Sequence, residues 1–179
     1  MQPLALTGTP GTGKSTVASV LRQQVDVREV AELAQEFGTG RRGSDGWTVD
    51  LAATSRAWRA GRPRGAVVVV GHLAHLLPIR DVIVLRCHPR ELARRLARAR
   101  RGTVRDRHAN LVAEATDSIL VEAVDLGRRV WEVDTTGRSP WSVAREVRTR
   151  LRRRGPPRYG AVDWLSDGWV SEHLLDWSP

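Results

Sequence analysis

The chain is short of cysteine, of lysine and of long apolar runs. Cys87 is the only cysteine in 179 residues, so no intrachain disulfide can form, which fits a reducing cytoplasm. Cys87 follows an apolar stretch and reads as a small half-buried side chain rather than a reactive thiol. No apolar run approaches the roughly 18 residues of a membrane span, so no membrane partner is expected. The N-terminus runs straight into an apolar stretch, with no expected signal or transit peptide. No internal repeat is visible. Of 29 Lys plus Arg, Lys14 is the only lysine, and 20 Asp plus Glu leave a net charge of +9. Such an excess implies a polyanionic partner such as RNA, or a solvated basic surface without one.

The lone lysine stands in Gly8-Thr9-Pro10-Gly11-Thr12-Gly13-Lys14-Ser15-Thr16, which fits the phosphate-loop pattern G-x-x-x-x-G-K-[ST] at every fixed position. Leu4-Ala5-Leu6 before it suits a buried strand. Val17 to Gln24 after it reads as a helix, with Val17, Val20 and Leu21 on one face. In that context the glycines let backbone N–H groups turn toward phosphate oxygens, and the helix dipole adds to them. Gly11, Gly13, Lys14, Ser15 and Thr16 are the candidate ATP phosphate ligands. Lys14 is a compact point charge for the β- and γ-phosphates, and the Ser15 hydroxyl is the candidate Mg²⁺ ligand.

Further strands are expected at Val25–Val30, Ala66–Val70, Asp81–Leu85 and Arg129–Val133. Helices are expected at Ala31–Phe37, Ala52–Ala60, Arg90–Arg101, Ala109–Leu126 and Ser139–Arg154, the last with Ser139 as N-cap and Pro140 at its first position. Gly38–Gly46, rich in glycine, reads as a mobile loop. The arginine-dense face of Arg90–Arg101 reads mostly as a solvated surface beside a Leu92/Leu96 stripe. Strands alternating with helices imply an α/β fold: a five-stranded parallel sheet with helices on both faces. Ligands bind such sheets at the carboxyl ends of the strands, which places the loop, His72 and the residues after Leu85 on one rim. From Gly155 the composition changes to an acidic segment carrying Trp164, Trp169 and Trp177, expected to dock on the body because exposed Trp is costly, or else to bind a partner.

Four segments occur in order: the Gly8–Thr16 loop, Gly71-His72-Leu73-Ala74-His75-Leu76-Leu77-Pro78, Val84-Leu85-Arg86-Cys87-His88-Pro89-Arg90-Glu91-Leu92, and Asn110-x-x-x-Glu114. Together they resemble the archaeal members of the adenylate kinase isoenzyme 6 family, over about Leu4 to Leu151. The resemblance implies a P-loop NTPase of the nucleoside monophosphate kinase type at 1–154, with a tail at 155–179. It implies an acceptor-binding region at about 31–54 and a lid at about 100–110. It also implies conversion of ATP and AMP to two ADP, with ATPase activity beside it. The cellular role it implies is maturation of the small ribosomal subunit, with a uS11-family ribosomal protein and rRNA as partners. The lid pair would be Arg101-Gly102, with Arg101 over the transferring phosphoryl and Arg105 and Arg107 as further candidates.

His72 would touch the phosphate end of the nucleotide or the attacking water, or cap the next turn. His75 reads as structural. Asp50, Arg41 and Arg42 are acceptor-site candidates, or ordinary loop charges. The family's acidic residue at the end of the third strand is replaced here by Val70, so Asp45, Asp50 or another carboxylate would have to serve the Mg²⁺ water shell. Two other readings stay open. One is an ATP-switched assembly factor with incidental kinase activity. The other is a different small-molecule P-loop kinase of the gluconate or shikimate type.

Overall fold

A computed structural model describes residues 2–43, 46–61, 65–100 and 102–175. Five strands form one parallel sheet: β1 (Leu4–Thr7), β2 (Asp26–Glu29), β5 (Val67–Val70), β6 (Asp81–Arg86) and β7 (Arg129–Asp134), in the spatial order β2-β5-β1-β6-β7. The central strands β1, β5 and β6 are buried along their whole length, as their unbroken apolar runs require of a sheet covered on both faces. α1 (Lys14–Leu21) and α7 (Pro140–Arg152) cover one face, sharing a core with Leu6, Val68, Ile83 and Trp131. α2 (Val30–Glu36), α3 (Leu51–Gly61) and α6 (Ser118–Asp125) cover the other, around Ala5, Val69, Val82 and Val84. The expected α/β architecture is the observed one.

Two local expectations fail. Gly38–Gly46 was expected to be a loop, but most of it enters a two-stranded antiparallel ladder, β3 (Gly40–Gly43) with β4 (Gly46–Val49). Backbone pairing carries that ladder, and its glycines and exposed arginines give no side-chain pattern to read. The expected helix Ala109–Leu126 is two helices, α5 (Val104–Ala115) and α6, broken at Asp117, whose φ is 58°. Asp tolerates that left-handed conformation. The Arg86 guanidinium holds the break from β6: Nη2 donates to the Glu114 carbonyl at 2.9 Å and also contacts Asp117 Oδ1. The expected polar lid segment is therefore largely the first turns of α5. Thr103 caps that helix, its Oγ accepting from Asp106 N at 3.1 Å.

α4 (Pro89–Arg98) and α5 carry a third apolar cluster of Leu92, Leu96, Leu111 and Ala115, completed by Cys87 just after β6 and by Val170 and Leu174 from the C-terminal segment. Trp164 and Trp169 pack against it, so this segment docks on the body. Trp177 lies outside the described residues.

Candidate active site

β1 delivers the chain to the phosphate loop, and α1 leaves from it. Gly8 has φ 138°, and a Cβ there would stand 2.4 Å from the Leu85 carbonyl oxygen of β6. Gly11 has φ 95°, and a Cβ there would stand 2.7 Å from Leu92 Cδ1. The loop is thus pressed between β6 and α4, and only a residue without a side chain fits at either place. Thr135, just after β7, buttresses it: its Oγ lies 3.0 Å from the Thr12 carbonyl oxygen and 2.8 Å from that of Arg86. Lys14 Nζ donates to the carbonyls of Gly8 at 2.6 Å and Thr9 at 2.9 Å.

A cavity of about 830 Å³ opens over the loop at the carboxyl ends of the strands. Gly11, Gly13, Lys14, Ser15 and Thr16 line it, together with His72. Arg95, Arg98 and Arg138 line it too, and sequence reasoning missed all three. Arg95 donates to Thr135 Oγ at 3.2 Å and to its carbonyl at 3.0 Å, and is braced by Glu91 at 3.2 Å. Arg138 donates to the Asp134 carbonyl and to Glu146 Oε2, both at 2.9 Å. A signal for Arg95 exists in the sequence: it stands three residues from Leu92, on the face of α4 that the Leu92/Leu96 stripe turns inward. Four cationic side chains and the ordered N–H groups of the loop make a site for a polyanion of the size of a phosphate chain.

His72 borders this cavity, and partial burial, then the charge of Lys14, then His75 hold its pKa below the usual imidazole value. Its neutral ring can accept or donate a hydrogen bond at neutral pH. His75 is 1% exposed. Its Nδ1 faces Thr7 Oγ at 3.1 Å, and its Nε2 lies 2.8 Å from the Glu122 carboxylate, so both ring nitrogens are held in the fold. Asp50 caps α3, its Oδ1 accepting from Ala53 N at 2.9 Å. Arg41 and Arg42 stand exposed on β3. None of these last three lines the cavity over the loop. Arg105 and Arg107 belong to the first turn of α5 and do not line it either. Arg101 and Asp45 lie outside the described residues.

Beside the cavity, Arg86 is almost fully enclosed. It bonds Glu114 Oε1 at 2.8 Å and Glu132 Oε1 at 2.6 Å, as well as Asp117. Burial works against its charge, but Glu114 and then Asp117 outweigh that and raise its pKa. Glu114 Oε1 also accepts from Cys87 N at 3.0 Å, and Glu132 Oε2 from the backbone of Ala161 and Val162 at 3.1 and 3.2 Å. One arginine therefore joins β6, β7, α5 and the C-terminal segment.

Comparison with known proteins gives the chain a family. A family model described as "AAA domain" matches residues 4–117. A protein of Thermococcus onnurineus named "Putative adenylate kinase" is 42% identical over 92% of each chain. Proteins of the same name are 42% identical in Archaeoglobus fulgidus, again over 92% of each chain, and 39% in Pyrococcus furiosus, over 90% of each. The chain belongs to this archaeal adenylate kinase-like family. In three dimensions it is similar to a shikimate kinase of Acinetobacter baumannii (TM-score 0.58, 16% identity, 87% of this chain and 95% of that one). It is also similar to a gluconokinase of Sinorhizobium meliloti (TM-score 0.51, 17% identity, 86% of this chain and 93% of that one). At such identities the likeness shows the fold alone, which is that of a P-loop kinase. Among the described residues no helix is long and apolar enough to cross a membrane.

Proposed function

We propose that this family member is an adenylate kinase of the isoenzyme 6 kind, transferring a phosphoryl group from ATP to AMP to give two ADP, with ATPase activity beside it. The observation that carries the proposal is the cavity over the phosphate loop, where Lys14, Arg95, Arg98 and Arg138 converge. Its strongest outside support is the shared name of relatives that align over nine-tenths of the chain.

Phosphoryl transfer needs positioning and charge neutralisation more than covalent chemistry. In this reading the loop N–H groups, Lys14 and Thr16 hold the β- and γ-phosphates. Ser15 would hold Mg²⁺, which would supply neutralisation of phosphate charge. Arg95 and Arg138 steady the phosphate chain from α4 and from the turn after β7. Arg101, from the Arg101-Gly102 pair, is assigned to the transferring phosphoryl, with 100–110 as the lid of this reading. His72 orients the attacking oxygen as a neutral hydrogen-bond partner. The region 31–54, with Asp50, Arg41 and Arg42, receives AMP. Domain bounds of 1–154 for the kinase and 155–179 for the tail belong to the same reading.

A second reading is an ATP-switched assembly factor in small ribosomal subunit maturation, in the cytoplasm, with a uS11-family protein and rRNA as partners. The net charge of +9 and Val70 at the end of β5 favour it. AMP dependence separates the two. ADP formation that requires AMP and Lys14 supports the kinase. Slow hydrolysis indifferent to AMP, with RNA binding that weakens steeply with salt, supports the switch.

A further inference from the structure

Mg²⁺ bound with a nucleotide keeps several waters, and those waters need anionic acceptors. P-loop NTPases supply one from the end of a neighbouring strand. Here β5 ends in Val70, buried and apolar. Among the described residues lining the cavity with Lys14 and Ser15 there is one carboxylate, and it is Glu29.

Its position follows from the sheet. β2 runs parallel to β5, and Glu29 stands in register with Val70, so both strands end together on the same rim. Gly71 lets the next element close in: a Cβ there would meet Val30 Cγ2 at 2.9 Å. The start of α2 thus lies against the end of β5, and Glu29 stands beside the place Val70 leaves without an acid.

The carboxylate of Glu29 has a local role: it accepts from the Glu32 backbone N–H in the capping box that opens α2. Glu29 is the N-cap of that helix, and Glu32 Oε2 accepts in turn from Glu29 N at 2.7 Å. Ser, Thr, Asp and Asn are the favoured N-cap residues, and Glu is not among them. Arg22 Nη2 donates to Glu29 Oε1 at 3.2 Å, and the side chain keeps 42% of its surface exposed. The carboxylate is therefore partly exposed at a cavity wall that it shares with four cationic side chains, which cannot accept from a metal's waters.

We propose that Glu29 holds the water shell of the Mg²⁺ that enters with ATP, replacing from β2 the acid missing at Val70 on β5. This rests on the nucleotide-binding reading given above. As it acts through water, Glu29 is a positioning residue.

The test is Mn²⁺ binding to the protein–ATP complex, followed by electron paramagnetic resonance, alongside ATP affinity measured calorimetrically without metal. Glu29→Gln keeps the shape and an oxygen acceptor for the cap but removes the charge. It is expected to weaken Mn²⁺ binding by roughly 10- to 100-fold, as loss of an outer-shell partner does, and to leave metal-free ATP affinity intact. Glu29→Asp is expected to recover part of the loss. Arg22→Met breaks the ion pair but keeps the carboxylate, and is expected to leave Mn²⁺ binding near that of the wild type. Unchanged Mn²⁺ binding in Glu29→Gln would overturn the proposal. Equal losses in Glu29→Gln and Arg22→Met, or an equal loss in metal-free ATP affinity, would reduce Glu29 to a structural residue and overturn it as well. Wild-type protein that binds no ATP would instead sink the nucleotide reading beneath it.

Discussion

Lys14 Nζ lies 2.6 Å from the carbonyl oxygen of Gly8, at the other end of the phosphate loop. The loop is closed on itself, and Gly8 is where it meets the sheet. Replacing Gly8 with Ala would put a methyl group 2.4 Å from the Leu85 carbonyl oxygen, at a φ of 138° that suits glycine. Neither backbone can yield without moving the other. Gly8→Ala is expected to cost about 1–3 kcal/mol of stability, as overpacking does, and to abolish ATP binding. Denaturant unfolding and calorimetric titration with ATP measure the two effects separately.

The arginines of α4 divide by direction. Arg95 lines the cavity, and the place of a Gly13 Cβ is 3.9 Å from its Nη1. Arg94 is 62% exposed at its side chain and pairs only loosely with Glu91, at 3.7 Å. Arg95→Met is expected to lose about 1.5–3 kcal/mol of ATP affinity, the worth of a hydrogen bond to a charged group. Arg94→Met is expected to bind ATP as the wild type does. Equal affinities for the two variants would contradict the placement of Arg95.

Arg86 is a structural cation. Its removal leaves Glu114 and Glu132, each with a side chain only 2% exposed, without their partner. Arg86→Met is expected to cost about 3–5 kcal/mol, the usual penalty for breaking a buried ion pair from one side. It should also loosen the C-terminal segment, since Glu132 holds the backbone of Ala161 and Val162. Thermal unfolding gives the first effect. Faster proteolysis after Arg153 or Arg154 gives the second.

Cys87 is fully buried, and burial raises its thiol from an ordinary 9.0 to about 11. A higher pKa means less thiolate, the reactive form, at any pH below it. At pH 8 the native protein is expected to carry roughly 100-fold less thiolate than an ordinary cysteine and to react slowly with iodoacetamide. The reaction should speed up as pH rises toward 11, and unfolded protein should react at once at pH 8. Rapid modification of the native protein at pH 8 would contradict the burial.

Much of this was legible in the sequence. Leu4-Ala5-Leu6, the Gly8–Thr16 loop and Val67–Val70 announce a strand, a phosphate loop and a parallel sheet, because composition and spacing alone specify them. What escaped depended on partners distant in the chain. The break at Asp117 is held by Arg86, 31 residues earlier. The inward turn of Arg95 depends on Thr135, 40 residues later. The place of Glu29 depends on β2 lying next to β5 rather than next to β1. Pattern along a helix shows which face is apolar, but the sheet order decides what that face meets.

The most direct test is ADP formation from ATP and Mg²⁺, with and without AMP, by the wild type and Lys14→Ala. The adenylate kinase reading predicts ADP formation that requires AMP and is lost in the variant. ADP formation indifferent to AMP, or unchanged by Lys14→Ala, would contradict it.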